Sequence, residues 1–148
     1  MTKLDRAAAR APNFSQWTAD RLLPAEMLHP ELHPVCLPLF RQGHFDTAAF
    51  QAFKALEVAV RDAAGLGDGL VGVHLVRTAF KPDGGPPSDL TTEGGEREAL
   101  ASLMAGAIGS YKNPQSHRRV GVDAAEAREM VVLNSHQLRV VDSRRRAA

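Results

Sequence analysis

A chain of 148 residues, 44% hydrophobic and 24% charged, fits one globular domain that builds its own core. Eighteen basic against seventeen acidic residues leave a net charge of +1, which excludes a whole-molecule field for polyanions; any nucleic-acid binding has to come from local clustering. The lone Cys36 excludes an intramolecular disulfide framework, no apolar run approaches the roughly 20 residues that span a bilayer, and no apolar signal segment follows the first basic residues, so a soluble cytoplasmic protein with no membrane partner is expected.

Residues 1–27 read as an arm, either mobile or separately docked, because Pro12 and Pro24 interrupt it and Phe14, Trp17, Leu22 and Leu23 are loosely spaced. The domain proper is expected over residues 28–142, with 143–148 as a short basic tail around Arg144, Arg145 and Arg146. A helix is predicted over 30–42, with Leu32, Cys36, Leu39 and Phe40 on one face, although Pro34 and Pro38 oppose it. After Gly43, Asp46 is the expected N-cap and Phe45 the staple of a helix marked by Ala49, Phe53, Leu56, Val60 and Ala63, stopped at Gly65. Residues 70–80 read as a third helix, with a strand as the alternative because of Val71, Val73 and Val76.

The Gly- and Pro-rich stretch 81–95 is a long loop. Beyond it Leu100, Leu103, Met104, Ala107, Ile108 and Tyr111 form a helical stripe, and Ala101, Ala105, Gly106 and Gly109 would let another backbone approach closely. Asn113-Pro114 should end that helix, and Asp123 should cap a last one running to about Val141. The predicted architecture is all-α: a bundle of four to five helices, with no internal repeat.

The chemistry gathers in residues 111–119. Lys112, Arg118 and Arg119 fall there without an acidic neighbour, and His117 adds proton transfer near neutral pH. If Asn113 capped a new turn with Pro114 at its first position, the amides of Gln115, Ser116 and His117 would face outward as a phosphate site. Such parts suit phosphodiester cleavage without a metal. The bland alternative is a helix stop with a surface histidine and a solvated arginine pair.

Leu28-His29-Pro30, Gly43-His44-Phe45, the helix through Phe53-Lys54-Ala55-Leu56-Glu57, the turn from Lys112 to Arg118 and the closing Leu133-to-Arg139 helix together resemble the HEPN superfamily, and within it the small bacterial Ymh-type, abortive-infection-like family. The resemblance runs from about Leu28 to Asp142. The superfamily motif is an arginine, an adjacent polar residue and a histidine after four to six intervening positions; here four residues separate Lys112 from His117, Asn113 is the polar residue, and lysine stands for arginine. It implies a helical bundle that dimerises, two motifs meeting at the two-fold axis. It also implies a metal-independent endoribonuclease of toxin or phage-defence type, with RNA as substrate and a cognate antitoxin or other defence-system protein as a further partner. In that scheme His117, Lys112 and Asn113 are catalytic, and Arg118, Arg119, Ser116 and Arg139, helped by the basic tail, hold phosphate. The alternative is an inactive module binding RNA, a nucleotide or a protein, favoured by lysine's loss of the planar guanidinium fork.

Other residues carry competing readings. Lys54, Glu57 and Arg61 at i, i+3 and i+7 read as a surface ion-pair ladder; Glu57 as a partly buried acid supporting the site is the alternative. His29, His33 and Cys36 have metal-ligand spacing, but prolines follow both histidines and only His44 is near as a fourth ligand. Capping and packing are expected of them, and no metal or other cofactor. His74 reads as a core or interface residue and His136 as a surface one, while Ser116 and Ser135 lack the surroundings of a nucleophile.

Overall fold

The computed structural model describes residues 14–147, and side chains from 17 to 145. α1 (Phe14–Leu22) and a 3-10 turn at Ala25–Met27 lead into α2 (Leu32–Arg41), then α3 (Phe45–Ala64) and α4 (Gly72–Ala79). α5 (Gly94–Ala107) passes through a π-helical turn, Ile108–Lys112, into the five-residue α6 (Asn113–His117), and α7 (Ala124–Ala147) closes the chain. The described residues contain no strand, and the protein is all-α. Six of these helices have eight residues or more; the five expected from periodicity are α2, α3, α4, α5 and α7, and α1 arises in the segment read as an arm. Within that segment Ala19 and Leu23 are buried in the main core, so residues 14–27 are docked; residues 1–13 lie outside the described residues.

α3 is the central helix. Ala48, Ala52, Leu56, Ala59 and Val60 are fully or almost fully buried along it, and α7 lies along it as its principal neighbour. Phe40, Leu75, Phe80, Met104, Ile108 and Leu138 belong to the same buried cluster, each worth about 1.5–3 kcal/mol in apolar burial. Gly65, at φ +64°, ends α3 as the sequence suggests. The start differs: His44 occupies the cap position and Asp46 lies in the first turn, its Oδ1 accepting the Thr47 N–H at 2.8 Å. Phe45 meets Phe40 edge-on at 5.1 Å instead of stapling alone.

Pro38 sits inside α2 on its exposed side, where its missing N–H is tolerated. The expected cap at α7 is present, with Asp123 Oδ1 accepting the Glu126 N–H at 2.9 Å. The tail does not separate: residues 143–147 continue α7, Arg144 pairs with Asp89 at 3.1 Å and Arg145 donates to Ala59 O. His29 ties the segment before α2 to the far end of α7. Its Nδ1 accepts from the Glu31 N–H, so the ring proton sits on Nε2 and is donated to Asp142 Oδ2 at 2.6 Å. Among the described residues no helix is long and apolar enough to cross a membrane.

Candidate functional site

The local surprise is Asn113-Pro114. A proline normally stops a helix because it has no N–H and its ring meets the carbonyl four residues back. Here the chain stays helical: Lys112 and Asn113 both have right-handed helical angles. The preceding turn widens instead, and the Asn113 N–H bonds Ile108 O, five residues back. A π-turn supplies the slack that Pro114 needs. The outward-facing amides expected at a fresh helix start are therefore not formed, since Asn113 continues a helix and α6 is only one turn long.

This geometry aims Lys112 inward. Its Nζ lies 3.2 Å from Glu57 Oε1, with side chains only 14% and 7% exposed. The same oxygen accepts the Gly72 N–H at 2.8 Å. Gly72 opens α4 at φ +59°, and a Cβ there would stand 3.4 Å from Asn113 Oδ1 and 3.8 Å from Glu57 Oε1. Glu57 thus gathers α3, the start of α4 and the π-turn at one point. The surface ladder is overturned: Arg61 donates to Leu70 O, Lys54 is exposed, and Glu57 faces the interior because its position shares the buried side of α3 with Phe53 and Val60. Lys112 also stands 5.8 Å from the Phe50 ring centroid.

Beyond the ion pair the surface opens. A cleft of about 490 Å3 lies between the start of α3 and residues 118–121, lined by Asp46, Thr47, Phe50, Gln115, Arg118 and Arg119 with Val120 and Gly121. Arg118 and Arg119 are exposed and pair with no acidic group among the described residues. His117 is exposed, between the cleft-lining Gln115 and Arg118 in sequence, and its ring makes no hydrogen bond to a described residue. Ser116 turns its hydroxyl back to Lys112 O at 3.3 Å. Gln115 Nε2 donates to Asp46 O at 3.4 Å, which clasps α6 to α3.

Arg139 and the arginines of the tail, expected as phosphate contacts, are not brought here. Arg139 is exposed fifteen residues into α7, about 22 Å along the axis from the helix start next to the turn. Arg144 and Arg145 lie still farther along and are engaged with Asp89 and Ala59. The residues read for metal also disperse: His29 pairs with Asp142, His33 Nε2 donates to Ala25 O at 2.8 Å, and Cys36 Sγ donates to Ala48 O. His44 is exposed at the start of α3. Burial pushes the Cys36 thiol up to about 12. His74 and His136 are exposed, which corrects the core reading of His74, and Ser135 is buried as acceptor for the His29 N–H.

The small residues of α5 also serve inside the chain. Ala101 and Ala105 are buried, and a Cβ on Gly109 would stand 3.1 Å from Val73, so α4 is the close neighbour they admit. Leu103 and Tyr111, 53% and 42% exposed, are the apolar side chains this stretch leaves to solvent. Sequence reasoning missed Phe50, Asp46 as a cleft residue and Gly72. The first two lie one turn apart at the start of α3, a spacing that alone says nothing of residues 118–121.

The family described as "Protein of unknown function (Hypoth_ymh)" matches residues 26–141. No curated protein and no solved structure matches the chain.

Proposed function

We propose, from the premise that the chain belongs to the Hypoth_ymh family, that it is a HEPN-like, metal-independent endoribonuclease acting as a homodimer in the cytoplasm. The observation that carries this reading is the exposed His117 beside Arg118 and Arg119, which pair with no acidic group among the described residues, on a turn braced from beneath by the largely buried Lys112–Glu57 pair. In the reaction a 2′-hydroxyl attacks the adjacent phosphorus in line. The bond to the 5′-oxygen breaks, leaving a 2′,3′-cyclic phosphate and a 5′-hydroxyl. His117 removes or delivers the proton. Arg118 and Arg119 offset the charge on the pentacoordinate phosphorus, which requires preorganised cations. Lys112, already neutralised by Glu57, holds the turn, and Asn113 beside Gly72 fixes its orientation. Self-directed RNA cleavage is the chemistry of a toxin or phage-defence effector, and a cognate antitoxin would have to cover the turn. The exposed Tyr111 in the π-turn and the exposed Leu103, about two turns earlier on α5, support a surface through which two copies bring their turns together.

The test is incubation of the purified protein with total RNA in EDTA. Cleavage with cyclic-phosphate ends, resistance of DNA, and its loss in His117→Ala are expected; Lys112→Arg, which can still pair with Glu57, should keep activity. Cleavage by His117→Ala at the wild-type rate would reject the reading. One observation favours a second reading, a non-catalytic RNA-binding module: the motif cation is spent on Glu57. A wild type that binds RNA and cleaves none would select it.

A further inference from the structure

Resting on the RNA reading above, we propose that the cleft between the start of α3 and residues 118–121 is a subsite for a guanine nucleotide unit. The base lies against Phe50 with its edge on Asp46, and the phosphate is held by Arg118 and Arg119. At about 490 Å3 the cleft is within the size range of small-molecule sites. Its walls differ in chemistry, which a simple anion site would not require. Two arginines that pair with no acidic group among the described residues stand on one side. On the other, Phe50 offers an aromatic ring, held between the Lys112 ammonium and the cleft. Aromatic rings and arginines are the usual partners of unstacked bases and their phosphates.

The choice of base follows from the acceptors. Asp46 uses Oδ1 for the Thr47 N–H, and no described residue bonds its Oδ2. Gln115 directs its amide nitrogen to Asp46 O and its Oε1 is buried, so Asp46 Oδ2 is the acceptor left open to the cleft. The base-facing wall therefore presents a carboxylate. Guanine alone carries two adjacent donors on its Watson–Crick edge, N1–H and the N2 amino group, which match a carboxylate in bidentate fashion. Adenine and cytosine offer one amino group there, and uracil one imino group.

The test is calorimetric titration of the full chain with GMP, AMP, guanosine and inorganic phosphate, and with the trinucleotides UGU and UAU. GMP is expected to bind at least tenfold more tightly than AMP, and more tightly than guanosine or phosphate alone. Asp46→Asn keeps an oxygen for the Thr47 N–H and should bring GMP down to the AMP level; Asp46→Ser, another capping residue, is the second variant should the first misfold. Arg118→Ala should weaken GMP and AMP alike. UGU binding more tightly than GMP identifies RNA as the source of the guanine, and the reverse identifies a free nucleotide; both support the subsite. Equal affinity for GMP and AMP, a guanine preference that survives in Asp46→Asn, or no binding of any probe overturns it. The two ideas fail separately. His117-dependent cleavage without base preference removes the subsite and leaves the ribonuclease, whereas GMP preference in a protein inert toward RNA does the opposite.

Discussion

Lys112 and Glu57 form an ion pair that the folded chain cannot easily hydrate, and this sets what each can be asked to do. Removing one partner of such a pair leaves a buried charge without compensation, which typically costs about 3–5 kcal/mol. Lys112→Met should therefore lower the urea unfolding free energy by about that amount. Lys112→Arg, which can pair with the same carboxylate, should lower it far less. The double variant Lys112→Met with Glu57→Gln should be less destabilised than the sum of the single variants, because the cost of each is the stranded partner. Additive losses would show that the pair contributes little. At Cys36, the thiol ionises at about 12 when folded against an ordinary 9.0. A folded-state value raised in this way contributes stability that is full below pH 9 and lost as the pH climbs toward 12. Native protein should react slowly with thiol reagents at pH 8, and a fast reaction would place Cys36 outside the core.

At the scale of elements, the brace depends on how α4 begins. Gly72 holds φ +59° while its N–H reaches Glu57, a backbone conformation that costs an L-residue about 1–2 kcal/mol. Gly72→Ala should destabilise by roughly that amount, measured by urea unfolding, and should disturb Asn113, which stands next to the added Cβ. The loop before α5 is held more loosely, through Asp89. Its carboxylate accepts from the Thr91 hydroxyl and N–H and pairs with Arg144, and these contacts, Thr91 first, hold it below the ordinary 3.8. A depressed carboxylate stabilises above its unfolded value and loses that contribution as the pH falls through the folded one. Wild type should thus lose more thermal stability than Asp89→Asn between pH 5 and pH 3.

Elements whose signals are local were legible before any coordinates. The period of α3 shows in Phe53, Leu56 and Val60, and its stop in Gly65. The start of α7 shows in Asp123. The π-turn was not legible, because Pro114 is a stop signal to any rule that counts hydrogen bonds four residues back, and the compensation lies in a widened turn. Glu57 misled for a related reason. Its spacing from Lys54 and Arg61 is that of a surface ladder, and only the packing of α4 and the π-turn over α3 shows which side of the helix it occupies. The small residues of α5 reported close packing correctly, but spacing cannot say whether the neighbour is another copy or α4.

For the whole molecule, charge decides what RNA binding must look like. A net charge of +1 supplies almost no long-range attraction, so affinity has to come from a few cations at one place. The sequence offered Lys112, Arg118, Arg119, Arg139 and the terminal arginines as one set. The fold divides them: Lys112 is neutralised by Glu57, Arg139 is far along α7, and Arg144 is paired with Asp89. Arg118 and Arg119 remain at the turn. For single-stranded RNA the logarithm of affinity falls with the logarithm of salt at a slope of about −0.7 per neutralised phosphate. One turn with two arginines therefore predicts a slope of about −1.4, and two turns joined in a dimer about −2.8. Fluorescence anisotropy with a short labelled RNA across 50–300 mM salt measures the slope, and light scattering at the same protein concentration measures the copy number. A slope near −2.8 in a dimer would place both turns on one RNA. A slope near −1.4 in a dimer would mean that the turns face apart and that the composite site is wrong. Arg118→Ala should reduce the slope by about a half in either state, since it removes one of each pair of cations. Arg139→Ala and Arg144→Ala should leave it unchanged. A salt-independent affinity, or a slope that depends on Arg139, would reject the turn as the place where phosphate is held.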